Sequence, residues 1–87
     1  MIRREWRSSS HNNSYYYFRV HDGLIVGQAY NLSHTMIWAA KILISANEEL
    51  ILGQYVEMEF AKKAIEEYWN EKDRTLEVPH EHLLSTL

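Results

Sequence analysis

The residues best suited to acid–base or metal chemistry in this chain are its five histidines and twelve carboxylates. The densest group is His80-Glu81-His82, two imidazoles flanking a carboxylate. Zinc would take its remaining ligands from elsewhere in the chain. His11, His21 and His34 fall in turn-prone sequence, where an exposed histidine is ordinary, so no metal site is read. The paired acids Glu48-Glu49 and Glu66-Glu67 read as a solvated loop and a solvated helix face. No Gly-rich phosphate loop, nucleophile elbow or His-Glu-x-x-His pattern occurs. The absence of cysteine excludes a disulfide scaffold, a thiolate zinc site and a cysteine nucleophile. The chain therefore reads as a non-enzyme that needs no cofactor.

Binding chemistry is better represented. Tyr15, Tyr17, Arg19 and Tyr30 lie in strand-like sequence, where aromatic rings on an open sheet face accept nucleic-acid bases or a protein partner. Few cations flank them. Phosphate neutralisation supplies most non-specific nucleic-acid affinity, so a nucleic acid is the disfavoured occupant.

Charge is distributed unevenly along the 87 residues, whose net charge is −3. Residues 1–20 hold Arg3, Arg4, Arg7 and Arg19 against Glu5, whereas residues 48–87 hold ten acids against four cations. A basic start and an acidic second half imply two electrostatically distinct surfaces. A composition 46% hydrophobic and 24% charged excludes wholesale disorder. The longest apolar run, Met36 to Ala40, is far short of the ~20 residues of a membrane span. Arg3, Arg4 and Arg7 are followed by no apolar stretch of a secretory leader, so a cytoplasmic location without membrane contact is expected.

The elements follow from pattern. Residues 1–14 read as a flexible basic arm ending in the turn-prone run 8–14, residues 15–72 as one domain, and residues 73–87 as an acidic tail. Tyr15–Val20 and Leu24–Tyr30 are aromatic and β-branched around Asp22-Gly23, a strong hairpin signal. A two-residue loop there pairs His21 with Leu24 and Phe18 with Gly27. Thr35–Ile44 and Glu49–Val56 form a second hairpin around residues 45–48, pairing Trp38 with Tyr55, Ala40 with Gly53 and Ile42 with Ile51. Leu24-Ile25-Val26-Gly27-Gln28 recurs as Leu50-Ile51-Leu52-Gly53-Gln54. The likeness reads either as a duplication or as two strands that each need glycine where a helix crosses closely.

Residues 57–72 carry Phe60, Ala61, Ala64, Ile65, Tyr68 and Trp69 at helical spacing. Thr75–Val78 reads as a short extended segment and His80–Leu84 as a helical turn. The fold class expected is α+β: a four-stranded antiparallel sheet of two hairpins with one long helix across a single face. The helix should cover Gly27, Ala29, Ala40 and Gly53. The opposite face then carries Tyr15, Tyr17, Arg19, Tyr30, Lys41, Leu43, Leu50 and Leu52, an apolar surface that marks a site for another protein or for a second copy. Glu59, Glu66, Glu67 and Glu71 form an acidic surface on the helix.

Trp38-Ala39-Ala40-Lys41-Ile42, Leu52-Gly53-Gln54-Tyr55 and Ala61-Lys62-Lys63-Ala64 resemble the three-stranded-sheet-plus-helix modules of plant AP2 domains and of tyrosine-integrase N-terminal domains. That resemblance covers about a third of the chain and implies a sheet face that enters the DNA major groove. In style the chain also resembles small phage-encoded inhibitors, including anti-CRISPR proteins, which implies an acidic surface that competes with phosphates for a basic groove. The first expectation is a small non-enzymatic protein-binding module, which the second resemblance makes a phage-encoded inhibitor of a host nucleic-acid-handling or defence complex; the alternative is an AP2/integrase-like nucleic-acid binder.

Overall fold

The computed structural model describes residues 2–9, 13–33 and 35–77, and of 75–77 the backbone alone. The architecture is α+β. Five antiparallel strands, β1 (Arg4–Ser8), β2 (Ser14–Arg19), β3 (Ile25–Asn31), β4 (Trp38–Ser45) and β5 (Glu48–Tyr55), lie in sequence order as one sheet. The helix α1 (Met58–Glu77) packs against β3, β4 and β5. It runs through residues 75–77, which sequence pattern assigned to an extended segment. The readings for His11, His34 and residues 78–87 lie outside the described residues.

The sheet has one strand more than expected. Arg4–Ser8, read as part of a free arm, pairs with β2 through Trp6 and Tyr17. Arg4 and Trp6 have partners on the helix. Trp6 stacks on Tyr17 with ring centroids 4.6 Å apart, and its indole N–H donates to Glu66 at 2.7 Å. The Arg4 guanidinium donates to both oxygens of Asp73, at 2.8 and 3.1 Å, and lies over the Trp69 ring. The strand is therefore fixed by side chains rather than by any strong β pattern of its own.

The first hairpin differs from the expected register. Arg19 N–H donates to Leu24 O and Gly23 N–H to Arg19 O, so the loop spans residues 20–23. Asp22 closes it by accepting from Leu24 N–H at 3.1 Å and from the Arg19 guanidinium at 2.6 Å. Gly23 supplies the positive φ of 71°. Phe18 then faces Ile25, but Tyr17 faces Gly27, which leaves Val26 as the extra residue of a β-bulge. One extra residue exchanges the two faces of a strand. Tyr15 and Tyr17 consequently lie on the helix side, and Tyr16 and Phe18 on the open side.

The second hairpin turns more tightly than expected, with Ser45 opposite Glu48. Trp38 faces Tyr55 and Ala40 faces Gly53, as the pattern indicates. Beyond them Lys41 faces Ile51 and Ile42 faces Leu50, with Leu52 left over as a second bulge. Leu50 and Leu52 thereby move to the helix side, and Ile51 to the open side.

The core consists of Tyr17, Val26, Ala29, Ala40, Ile42, Ala61 and Ile65, with Trp6, Trp38, Leu52, Tyr55, Tyr68 and Trp69 packed around it. Ala61 and Ile65 are the helix residues that enter deepest; Phe60, on the expected stripe, stays exposed. The helix presses closest at Gly27, where an added Cβ would sit 2.6 Å from Ile65 Cγ2. Gly53 has no helix atom among the three nearest to such a Cβ; its φ of 156° belongs to the second bulge. Small size is thus demanded by the helix at Gly27 and by backbone conformation at Gly53.

Candidate protein-interaction surface

Side chains directly opposite one another in antiparallel strands share a face. One row crosses all five strands on the side away from the helix: Arg7, Tyr16, Gln28, Lys41 and Ile51. A neighbouring row carries Glu5, Phe18 and Ile25, and another carries Ser14, Tyr30, Ala39 and Gln54. No described helix or strand lies across this face.

The rings on the face are held by cations and amides. The Arg7 guanidinium lies 4.8 Å from the Phe18 centroid, and Lys41 Nζ lies 5.4 Å from the Tyr30 centroid. Gln28 Nε2 donates to Ser14 Oγ at 3.2 Å and to Tyr16 Oη at 3.4 Å. Lys41 is also paired with Glu49 at 3.2 Å. These contacts limit the rotamers of Tyr16, Phe18 and Tyr30, so a partner would lose little side-chain entropy in binding them. Ile25 and Ile51, at 41% and 56% exposure, add aliphatic surface at two ends of the face.

The residues expected to bind a partner are divided by the sheet. Tyr30, Lys41 and Leu43 lie on the open face, Leu43 opposite Glu49. Tyr15 lies under the helix, with Lys62 Nζ 5.0 Å from its ring and Trp38 beside it. Tyr17 is in the core, and burial raises the pKa of its hydroxyl, with the Glu66 carboxylate adding to the effect. Leu52 packs against the core and Leu50 faces buried Ile42. Arg19 is opposite Arg4 and pairs with Asp22. These five residues thus do not form the surface expected of them, because the bulges reverse the faces on which they lie and the hairpin loop captures Arg19.

The acidic surface on the helix is also partly consumed. Glu66 turns toward the sheet and accepts from Trp6. Glu71 pairs with Arg74 at 3.1 Å. Glu59 and Glu67 are exposed, with exposed Lys63 between them in sequence. The helix exterior is therefore of mixed charge.

Gln28 lies on the open face as the pattern indicates, whereas sequence reasoning overlooked Arg7, Tyr16, Phe18, Ile25 and Ile51. The signal that could have revealed them is the repeated Ile-x-Gly-Gln, which marks a bulge in each hairpin.

No family model, curated protein or solved structure matches this chain. The surface must therefore be interpreted from its own chemistry. Among the described residues, no group of three or more potential metal ligands occurs, and no helix is long and apolar enough to cross a membrane.

Proposed function

We propose that this chain is a non-enzymatic protein-binding module whose open sheet face receives another folded protein. The observation that carries this reading is the row Arg7, Tyr16, Gln28, Lys41 and Ile51, bordered by Phe18 and Tyr30, with no described element over it. Tyrosine and arginine are the residue types that dominate binding energy at protein interfaces. Arg7 contacts the Phe18 ring and forms no ion pair with a described residue. The partner chemistry that fits is an apolar patch bearing a carboxylate placed to meet Arg7.

An AP2/integrase-like nucleic-acid binder would use the same rings as a stacking surface. The charge pattern favours that reading less. Of the two cations on the row, Lys41 is already paired with Glu49, and phosphate contacts supply most of such affinity.

The test is capture from the native host followed by reconstitution with the purified partner. Wild type, a Tyr16→Ala/Tyr30→Ala variant and a Glu67→Ala helix control are compared, alongside titration with duplex and single-stranded oligonucleotides at low salt. The expected result is one partner bound by wild type and control, lost with the open-face variant, and no oligonucleotide binding. A partner retained by the open-face variant overturns the reading. So does oligonucleotide binding that the same variant abolishes.

A further inference from the structure

The two edges of the sheet are built differently. β1 has five residues and carries Arg4, Glu5 and Arg7. Charged side chains and short length are standard means of keeping an edge from pairing with another chain. β5 has eight residues; its charges, Glu48 and Glu49, lie at one end, and Leu50-Ile51, ahead of the bulge at Leu52, form a stretch with neither charge nor proline. Leu50 is 40% exposed and Ile51 56%. A groove of about 510 Å³ between β5 and α1, lined by Leu52, Tyr55, Ala64 and Tyr68, leaves the helix side of this edge open.

We infer that β5 pairs with β5 of a second copy of this chain, antiparallel about a two-fold axis at Leu50 or Ile51. Charge selects this arrangement. With the axis at Leu50, Glu49 faces Ile51 of the other copy and Glu48 faces Leu52. With the axis at Ile51, Glu49 faces Gly53 and Glu48 faces Gln54. Neither sets carboxylate against carboxylate, whereas in-register parallel pairing would align both glutamates with themselves, and like charges directly opposite are destabilising. The pairing is isologous and therefore closed. The charged β1 edge opposes continuation of the sheet, so a dimer forms rather than a filament. The result is a continuous ten-stranded sheet that joins the open faces of two copies, a conclusion independent of what those faces bind.

Sedimentation across a concentration series, with hydrogen exchange on the same samples, tests the inference. Wild type should show a concentration-dependent doubling of mass. Ile51→Lys should remain monomeric with an unchanged circular dichroism spectrum. Ile25→Lys, an exposed isoleucine on an interior strand, should still dimerise. Hydrogen exchange needs no variant: raising the concentration should slow the amides of residues 48–52 and leave those of β1 unchanged. A wild type that stays monomeric overturns the inference, as does dimerisation of a folded Ile51→Lys protein. Slowed exchange confined to β1 or to the open-face rows would also overturn it, by placing the contact elsewhere.

Discussion

Val26 and Leu52 occupy equivalent places in the two hairpins: each is the unpaired residue of a bulge, each precedes a glycine, and each packs at the core beneath the helix. The repeated Leu-Ile-x-Gly-Gln segment is therefore a repeated backbone device. The residue before it, Ile25 or Ile51, stays on the open face, while the extra residue turns inward. At the first bulge the Val26 carbonyl also accepts from the Trp69 indole at 3.2 Å, which ties the irregularity to the helix.

This geometry gives opposite consequences to substitutions at adjacent positions. Leu52→Ser should destabilise the fold by about 1–2 kcal/mol, less than the ~2–5 kcal/mol for truncating a fully buried leucine, because Leu52 is half-buried. Ile51→Ser, at a 56% exposed site, should cost well under that. Urea denaturation of both variants measures the difference. Equal losses would show that the two side chains share an environment.

Gly27 and Ile65 should be coupled. A methyl at position 27 would meet Ile65 Cγ2 at 2.6 Å, and overpacking of this kind costs about 1–3 kcal/mol. Gly27→Ala in an Ile65→Ala background should cost less than in wild type, because the colliding atom is gone. A double-mutant cycle by chemical denaturation reads the coupling. Additive losses would mean that the helix yields at this point without strain.

The fold class, the helix and the second hairpin's Trp38–Tyr55 and Ala40–Gly53 pairs were legible in sequence, because each rests on local periodicity. The faces of β2 and of the outer half of β5 were not. A strand's side-chain period is two, so a single bulge reverses every assignment beyond it, and hydrophobic pattern alone cannot locate an extra residue. β1 was hidden for another reason. Its sequence Arg-Glu-Trp-Arg-Ser looks solvated until Asp73 and Glu66, some sixty to seventy positions away, supply its partners. The open-face site was thus legible at Gln28, Tyr30, Lys41 and Leu43 and obscured at Arg7, Tyr16, Phe18, Ile25 and Ile51.

Arg4 and Asp73 join the first strand to the end of the helix. The Arg4 side chain is 5% exposed, and its Nε has no hydrogen-bond partner among the described residues. Removing one partner leaves the other charge poorly solvated, a loss of about 3–5 kcal/mol for a fully buried pair and less here, where Asp73 is 20% exposed. Arg4→Met and Asp73→Leu should each be more destabilising alone than together, since the double variant buries no unpaired charge. Thermal unfolding of the three proteins checks this. A double variant as unstable as the sum of the singles would show that the pair itself is the better solution.

The same pair should make stability pH-dependent. Hydrogen bonds from Arg4, with its charge, hold the Asp73 pKa below the ordinary carboxylate value despite partial burial. The unfolded chain therefore takes up a proton at higher pH than the folded one. The stabilisation is fully present above the unfolded value of about 3.9 and is lost as pH falls through the lower folded value. Asp22, held down by Arg19 and the Leu24 N–H, has the same sign, but it is solvent-exposed and its effect should be small. Tyr17 acts at the other extreme. Burial raises its pKa, so its contribution is complete below about 10 and declines as pH rises toward the folded value. Urea midpoints measured from pH 2 to pH 7, values spanning the carboxylate range of roughly 3–5, should fall on the acid side for wild type. In an Arg4→Met/Asp73→Leu protein the fall should be shallower, because the shifted carboxylate is absent. An unchanged acid limb in that variant would assign the pH dependence to other carboxylates.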